Sequence, residues 1–512
     1  MPTGQPERSA KSRRAGPARP AIEHSVLAAR DAVVTDDVAV TRHAVRIDGR
    51  EVAYTARAGT LPLRDAASGA VRANLFFVSY SVAPEPGAPP RPILFAWNGG
   101  PGSNAALLHL TAMGPKRLAM DDVYATADPD TMASIVDNEA TWLGAADLVF
   151  VDPVGTGYSR PTSAEFGAAF YDVLGDVESI ADFIRDYRER FGATRAPLIL
   201  SGESYGSLRA ASVARGLLAR GIRTDGIVFI SGSPGLADVP PQLEPALLLP
   251  SLTATALYHR KLATDLAADP ERTIEEARRF ANGAYADALG RPDALAADER
   301  TRIRASLARF TGLPLDAIDA ESLAVAMPEF ATRLLAGDGR VLGRYDARLS
   351  RPRRAVEGDF DPLDDPSLTP IEFTVGGNAP AFLRYLRSEL GWRSDLYYVG
   401  PFGGAWPPPA FERGDWMTIR WHWVDGPTAP LNDVLAANPN LVVLHASGRY
   451  DLTSPAGPPA RQIASLPAAL AARFTVRVYE GGHSFYLDRA SRLAFAKDGA
   501  RLIEAAAAAA AR

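Results

Sequence analysis

A serine between two glycines is the residue in this sequence best suited to nucleophilic chemistry. Ser204 lies at the centre of Gly202-Glu-Ser-Tyr-Gly206, and the apolar run 198–200 comes directly before that motif. A G-x-S-x-G sequence between a strand and a helix is typical of a nucleophile elbow, in which a tight turn exposes the serine hydroxyl. Glycines two residues to either side let the strand and the helix approach closely. The motif therefore predicts Ser204 as a nucleophile.

A serine nucleophile needs a base that takes its proton and a carboxylate that orients the base. In proteins with a nucleophile elbow the carboxylate and the histidine follow the serine in that order, each after a later strand. Two residues fit this order. Asp451 comes after the apolar run 441–444, and His483 follows the strand-like run 474–479 in the sequence Glu-Gly-Gly-His. We therefore expect Ser204, Asp451 and His483 to form a catalytic triad.

Other histidines and aspartates fit these roles less well. His445 lies in a strand-like run and His109 in a predicted helix, where a hydrogen-bonded core histidine is the more common role. The remaining histidines precede the sheet or lie between the two halves of the strand pattern: His24, His43, His259 and His422. Acidic loop residues are mostly solvated, but three of them remain rivals of Asp451: Asp425, Asp433 and Asp488.

Backbone donors are needed to stabilise the oxyanion of a tetrahedral intermediate. In an elbow the amide of the residue after the nucleophile, here Tyr205, supplies one donor, and a loop after an earlier strand supplies the other. The apolar run 93–97 ends in Asn98-Gly-Gly-Pro-Gly102, a glycine-rich loop at the expected place. A plain tight turn is the alternative interpretation of this loop.

Alternating strands and helices have to hold these loops. Residues 38–60 alternate apolar and polar positions around Asp48-Gly49, which predicts a hairpin, and residues 74–82 predict a third strand. Apolar residues at helical spacing predict a core helix that begins near Val173. Short apolar runs separated by helical stretches favour a parallel sheet with crossover helices, and they lie at 93–96, 148–151, 198–200 and 227–230.

The second half of the chain changes in character. Residues 234–433 lack the strand pattern and are rich in helix formers, and strand signals return only afterwards. This favours a helical cap inserted into one core over a separate domain. We therefore expect the following division: an α/β core of residues 38–233 and 434–505, a cap of residues 234–433, and a C-terminal tail of residues 506–512.

The composition excludes several classes of protein. The 512 residues are 47% hydrophobic, which suffices for a sizeable core. The net charge of −5 favours no nucleic-acid partner, and no apolar run approaches the roughly 18 residues that cross a membrane. Without cysteine the chain has no disulfide and no thiolate metal site. Residues 1–37 are expected to form a disordered basic tail, and since no apolar signal stretch follows the basic residues, we expect a cytoplasmic protein.

Five motifs together resemble the serine carboxypeptidase family in order and spacing. They are 97–103 (Trp-Asn-Gly-Gly-Pro-Gly-Ser), 151–159 (Val-Asp-Pro-Val-Gly-Thr-Gly-Tyr-Ser), 202–206, the Asp451 loop and Gly482-His483. The similarity covers roughly residues 38–500 and is thin through the cap. It implies an α/β-hydrolase fold that removes residues from the C-termini of peptide substrates by acyl-enzyme chemistry, with no metal or other cofactor.

Carried over by position, the resemblance implies roles for individual residues. The triad matches Ser204, Asp451 and His483. The oxyanion amides match Gly100 and Tyr205. The group that holds the C-terminal carboxylate of the substrate matches Asn98, Gly99 and Glu203. Because a glutamate donates a hydrogen bond only when protonated, such a site is expected to bind a carboxylate best in acid.

The sequence departs from the eukaryotic members of that family at one informative position. Those proteins have a second glutamate just before a Gly-Pro that corresponds to Gly114-Pro115, and this chain has Ala112 there. Without a like-charged neighbour the pKa of Glu203 should be raised less than a carboxyl pair would raise it. Ser207 also replaces the second glycine usual after the elbow.

The same fold and triad allow other activities, because they do not determine the leaving group. An esterase or an acyltransferase is therefore the second hypothesis, and a binding module with an inactive site is the third. The preferred C-terminal residue and the oligomeric state are not predicted by the sequence.

Overall fold

The structure is a computed structural model that describes residues 38–119, 134–163, 166–167, 169–237, 239–354, 365–368, 380–400 and 429–511. The expected tail of residues 1–37 lies outside these ranges. So do three of the residues considered above: His24, His422 and Asp425.

Strands account for much of the first half of the described chain. Their bounds are β1 (Val38–Ile47), β2 (Arg50–Arg64), β3 (Val71–Ser81), β4 (Ile93–Trp97), β5 (Lys116–Leu118), β6 (Ile135–Asp137), β7 (Asp147–Val151), β8 (Arg160–Pro161), β9 (Leu198–Glu203), β10 (Gly226–Ile230), β11 (Arg340–Leu342), β12 (Ser350–Pro352), β13 (Val442–Gly448) and β14 (Phe474–Tyr479).

Helices connect the later strands and fill the long insertion. Their bounds are α1 (Ala106–Leu108), α2 (Val173–Arg190), α3 (Tyr205–Ala219), α4 (Glu244–Tyr258), α5 (Thr264–Ala267), α6 (Pro270–Phe280), α7 (Ala286–Leu289), α8 (Ala297–Thr311), α9 (Met327–Arg333), α10 (Pro380–Ser388), α11 (Pro430–Ala437), α12 (Gly457–Ala464), α13 (Ala468–Ala471) and α14 (Arg489–Ala510).

The N-terminal hairpin forms where the sequence predicts it. Strands β1 and β2 pair antiparallel, with Ile47 opposite Arg50. The two residues between them, Asp48 and Gly49, have φ angles of 48° and 79°. Positive φ at both central positions is typical of the two-residue turn whose twist suits a hairpin.

The central sheet has the strand order β1-β2-β3-β7-β4-β9-β10-β13-β14, with β8 paired to β3. Strands β1, β2, β3 and β7 pair antiparallel with their neighbours in that order. The strands that follow in the sheet pair parallel, in the order β7-β4-β9-β10-β13-β14. Since the carboxyl ends of parallel strands meet at one edge of a sheet, the loops after β4, β9, β13 and β14 lie close together. The sheet therefore brings the predicted site loops to a single edge.

Helices cover both faces of this sheet. On one face α2 buries the side chains predicted to form its core stripe, Val173, Val177, Ile180, Ile184 and Tyr187, in the same apolar cluster as Val213 of α3. On the other face α14 buries Phe495 and Ile503. The expected C-terminal tail begins inside α14, because this helix continues to Ala510 and buries Ala506.

The insertion between β10 and β13 is mainly helical and has an apolar core of its own, which includes Leu249, Tyr285 and Phe330. Two parts of it pack on the sheet instead. Helix α10 buries Phe382 in one core cluster of the sheet, and α11 buries Leu431 in the other. The expected boundary at residue 434 thus falls inside a helix that belongs to the core.

Candidate active site

The nucleophile motif forms a tight turn between β9 and α3. Ser204 stands between Glu203, the last residue of the strand, and Tyr205, the first residue of the helix, with φ 59° and ψ −127°. Its N–H donates to the carbonyl oxygen of Ile230 at 2.8 Å. A non-glycine residue adopts such a positive φ only where the surroundings enforce it. The strand order, the helices on both faces and this elbow make the structure an α/β-hydrolase fold.

The elbow requires glycine at Gly202 because the strand and the helix touch there. A Cβ atom at this position would lie 1.8 Å from the carbonyl oxygen of Gly206, which no side chain permits. Ser207, where the resemblance leads us to expect a second glycine, is buried. Its hydroxyl donates to the carbonyl oxygen of Gly202 at 2.8 Å. This serine therefore contributes a hydrogen bond across the turn.

Asp451 and His483 form a buried pair. The Nδ1 atom of His483 lies 2.7 Å from Oδ2 of Asp451, which is 0% exposed. The other carboxylate oxygen accepts the N–H and the hydroxyl of Thr453, both at 2.8 Å, and the N–H of Ser454 at 2.9 Å. Both oxygens of the buried carboxylate are thus satisfied, and the structure brings the predicted carboxylate and the predicted base into direct contact.

The end of β10 fixes the backbones of Ser204 and His483 beside each other. Ser204 donates its N–H to Ile230, and the hydroxyl of the next residue, Ser231, donates to the carbonyl oxygen of His483 at 2.6 Å. Among the described residues, the His483 ring has Asp451 as its close hydrogen-bond partner and is not hydrogen-bonded to Ser204. In enzymes without substrate this contact is often long and tightens on binding.

The electrostatic surroundings of His483 favour its charged form. Burial alone would lower the pKa of this histidine, but the charge and hydrogen bond of Asp451 and the charge of Glu203 outweigh burial, so the pKa is raised above 6.5. A histidine with a raised pKa is a stronger proton acceptor than an unperturbed one.

The glycine-rich loop after β4 lies directly against the elbow. A Cβ at Gly99 would lie 2.5 Å from the carbonyl oxygen of Glu203 and 2.6 Å from the amide nitrogen of Tyr205. Arg209 of α3 donates to the carbonyl oxygen of Asn98 at 2.8 Å and anchors the loop. Gly99 is buried and Gly100 is exposed. Gly100 follows Gly99 in this loop, and Tyr205 is the first residue of α3. The two predicted oxyanion residues therefore lie on the two sides of the contact between the loop and the helix.

Glu203 is buried next to Ser204 in the elbow and accepts hydrogen bonds on both carboxyl oxygens. Oε2 accepts the side-chain amide of Asn98. Oε1 accepts the hydroxyl of Ser484 at 3.0 Å and that of Tyr486 at 2.6 Å. Burial raises the pKa of Glu203, although the positive charge of His483 and the three donors act to lower it. The two residues predicted to hold a substrate carboxylate, Asn98 and Glu203, are thus in direct contact.

The predicted lack of a second glutamate is visible in this network. Ala112 is buried in the turn His109–Met113, and within the described chain no carboxyl group is among the causes of the raised pKa of Glu203. Two hydroxyl donors occupy Oε1 instead. Sequence reasoning missed Ser484 and Tyr486, although both lie within three residues of His483 in the sequence Gly-His-Ser-Phe-Tyr.

A segment of the insertion also contacts the triad loops, and the sequence did not predict it. The ring of Tyr345 lies edge-on to the His483 imidazole, with centroids 5.3 Å apart. The backbone of the same segment bonds to the loop after β13 on both sides of Asp451: Leu452 N–H donates to Arg344 at 3.0 Å, and Ala347 N–H donates to Tyr450 at 3.0 Å. The insertion therefore contacts both His483 and the loop that carries Asp451.

The competing residues have other roles in the structure. His445 and His109 are buried, and burial lowers their pKa values to about 4 and about 3. His445 hydrogen-bonds the carbonyl oxygen of Gly232, and His109 bonds the hydroxyl of Tyr80. Asp433 pairs with Arg215 at 2.8 Å, and Asp488 caps α14. Both histidines are core residues, as the sequence analysis favoured.

A cavity of about 560 Å³ opens between the core and the insertion. On the core side it is lined by Gly232 and Thr453, and on the insertion side by Pro245 and Leu248. The position of Gly232 beside the Ser204 backbone and that of Thr453 beside Asp451 bring this cavity to the triad loops. Its size and its mixed lining are typical of ligand-binding clefts.

The described ranges hold neither a candidate metal site nor a candidate membrane span. No group of three or more histidine, cysteine, aspartate or glutamate side chains there could hold a metal ion. Likewise, none of the helices that the structure describes is long and apolar enough to span a membrane.

Sequence comparison matches one part of this chain to a known family. The sequence profile of the serine carboxypeptidase family matches residues 59–220, which include Asn98 and Ser204 but neither Asp451 nor His483. Pheromone-processing carboxypeptidase KEX1 of Saccharomyces cerevisiae is 31% identical over 159 residues, which are 29% of this chain and 20% of that protein. The same protein of strain JAY291 is 33% identical over the same share. The matched segment thus spans about a fifth of the length of these relatives.

Similar solved structures have low sequence identity to this chain. A prohormone-processing carboxypeptidase from Saccharomyces cerevisiae aligns with a TM-score of 0.49 and 17% identity, over 87% of this chain and 90% of the other. Esterase E22 aligns with a TM-score of 0.37 and 12% identity, over 88% of this chain and 100% of the other.

Proposed function

We propose that this chain is a serine-type carboxypeptidase that releases C-terminal residues from peptides, and the match of residues 59–220 to the serine carboxypeptidase family supports this proposal. The observation that carries this proposal is the buried Asp451–His483 pair beside the Ser204 elbow, with the Asn98 loop against that elbow. Each group has the type and the surroundings that acyl-enzyme chemistry needs.

In the proposed reaction Ser204 Oγ attacks the carbonyl carbon of the last peptide bond while Nε2 of His483 takes the hydroxyl proton. Asp451 keeps Nδ1 protonated and stabilises the imidazolium. The backbone amides of Gly100 and Tyr205 stabilise the oxyanion. His483 then gives its proton to the departing amino group, the C–N bond breaks, and water repeats the steps on the acyl-enzyme to free the shortened peptide and Ser204.

Selection of the peptide C-terminus is assigned to Asn98, Gly99 and Glu203. The side-chain amide of Asn98 and the backbone N–H of Gly99 are donors in either protonation state, and Glu203 becomes a donor once protonated. Burial, which raises the pKa of Glu203, supports that protonated state. The exit of a free amino acid then leaves the group ready for the next C-terminus.

An esterase or acyltransferase is the second candidate, and one observation favours keeping it. Asn98 and Glu203 are each 3% exposed and already hydrogen-bonded to each other. A substrate carboxylate must therefore replace that contact or reach the pair by a small rearrangement, whereas an ester without a carboxylate needs only the triad and the oxyanion amides.

A mass-spectrometric assay tests the proposal. A mixture of unlabelled peptides with free C-termini and their amidated copies is incubated with the protein and with Ser204→Ala. Stepwise loss from free C-termini only, absent in the variant, is the expected result. Hydrolysis of a small ester together with intact peptides would favour the second candidate. Failure of a fluorophosphonate to label Ser204 would contradict both.

A further inference from the structure

Tyr486 is a buried tyrosine whose hydroxyl contacts Glu203. It is 0% exposed, and its hydroxyl donates to Oε1 of Glu203 at 2.6 Å. The neighbouring hydroxyl of Ser484 donates to the same oxygen at 3.0 Å. Two donors from one loop therefore converge on the carboxyl group that adjoins Ser204.

The orientation of the opposite donor is determined by its own surroundings. Oδ1 of Asn98 accepts the N–H of Leu108 at 3.2 Å. This leaves the amide nitrogen of Asn98 as the atom that faces Oε2 of Glu203. All three partners of Glu203 are thus neutral donors, and donors to a carboxylate stabilise its charged form.

The titratable group that faces Glu203 from the same loop is His483, and Asp451 lies behind that imidazole. His483 in its charged form also favours a charged Glu203. Within the described chain the other groups that act on Glu203 are Tyr486, Ser484 and Asn98. Burial is the influence that opposes all of them.

We infer that the Tyr486 hydroxyl, with Ser484 beside it, occupies the place of a second acid and sets the pH range in which Glu203 receives a substrate carboxylate. This inference rests on the proposed function, in which Glu203 must be protonated to bind a free peptide C-terminus. Tyr486 is then a positioning residue that acts through Glu203. The hydrogen bond that it donates stabilises the charged form of Glu203 and so lowers the pH at which Glu203 takes up a proton.

The direction of the effect follows from the coupling of Glu203 and His483. Peptide hydrolysis needs neutral His483 and protonated Glu203, so the pair must hold one proton on Glu203. In alkaline solution both groups are deprotonated, and the fraction of the active form depends on the proton affinity of Glu203. In acid both are protonated, and that fraction depends on His483 alone.

Tyr486→Phe removes the hydroxyl while keeping the ring, and it should therefore act only on the alkaline side. Loss of one hydrogen bond to a charged group raises the proton affinity of Glu203 by about tenfold or more. We expect kcat/KM for a peptide with a free C-terminus to rise about tenfold in the variant on the alkaline limb, and to equal that of the unmodified protein on the acid limb. Ser484→Ala should shift the same limb in the same direction.

Two controls separate this effect from general damage. Tyr479→Phe removes a phenol hydroxyl that donates to Asp498 at 2.8 Å, outside the Glu203 network, and should change neither limb. A small ester without a carboxylate requires neutral His483 but not Glu203. Its kcat/KM should therefore be unaltered by Tyr486→Phe in alkaline solution.

The decisive experiment measures kcat/KM against pH for one peptide acid and one ester with the unmodified protein, Tyr486→Phe, Tyr479→Phe and Glu203→Gln. The inference concerns the ratio of kcat/KM for Tyr486→Phe to kcat/KM for the unmodified protein, both with the peptide acid. If this ratio stays constant with pH, or falls in alkaline solution, the inference is overturned. Glu203→Gln tests the proposed function separately, because a glutamine side chain does not titrate. The alkaline fall in kcat/KM that is seen with the peptide acid but not with the ester should therefore be absent in this variant. If that variant retains the limb, Glu203 does not hold the substrate carboxylate, and the proposed function fails at that residue.

Discussion

Substitution of Gly99 by alanine is the most direct test of how the loop after β4 forms the site. A Cβ there would lie 2.5 Å from the carbonyl oxygen of Glu203, 2.6 Å from the amide nitrogen of Tyr205 and 2.7 Å from that of Gly206. Ordinary van der Waals contact begins at 3.4 Å. Because all three neighbours are backbone atoms of the elbow, the loop that carries Gly100 must move away by nearly an ångström.

The expected cost follows from that displacement. A misplacement of about 1 Å costs roughly a hundredfold in rate, and loss of one oxyanion donor costs a similar factor or more. We therefore expect Gly99→Ala to lower kcat about 100-fold for both a peptide and a small ester. The rate of fluorophosphonate labelling of Ser204 should fall as well, because that reaction uses the same amides.

Two further glycines calibrate this prediction. A Cβ at Gly206 would lie 2.9 Å from the Trp97 side chain and 3.1 Å from the carbonyl oxygen of Asn98. Because these contacts are less severe than those at Gly99, Gly206→Ala should cause a smaller loss than Gly99→Ala. Gly337 has no atom within 4 Å of its Cβ position, so Gly337→Ala should leave kcat unchanged. Thermal unfolding measured for each variant shows whether it is folded at the assay temperature. A folded Gly99→Ala protein with kcat within a few-fold of the unmodified protein would refute the reasoning.

Three further predictions concern the base, the nucleophile and the insertion. Ser204→Ala should abolish fluorophosphonate labelling and lower kcat about 10⁶-fold without lowering the unfolding temperature. Since the pKa of His483 is raised above 6.5, kcat/KM for a small ester should increase with pH through a midpoint above 6.5, and Asp451→Asn should lower that midpoint. A midpoint that is unchanged by Asp451→Asn would contradict the pairing of Asp451 with His483. Tyr345→Ala removes the ring beside His483 and should reduce kcat for a small ester by up to about tenfold. Tyr397→Ala, at a half-exposed tyrosine of the same insertion, should leave this kcat unchanged. Equal effects of the two substitutions would count against a role for Tyr345.

Several features of the fold could be predicted because their causes lie within a few residues. The hairpin follows from the Asp48-Gly49 turn between alternating strands, and α2 follows from apolar residues at helical spacing. The division of the insertion was harder to predict. Helices α10 and α11 have amphipathic patterns like those of the cap helices, and a pattern indicates that a face is buried but not against which partner.

The sequence by itself determined the candidates for nucleophile, base and carboxylate, because each is marked by local chemistry at the end of a strand: Ser204, His483 and Asp451. Parallel pairing then brings those ends together whatever the details of packing. Tertiary structure alone decided what surrounds Glu203 and His483. The hydrogen bond from Tyr486 joins residues 283 positions apart, and Tyr345 approaches His483 from within the insertion. Such contacts depend on how separate elements pack, and no periodicity or motif in the sequence records that packing.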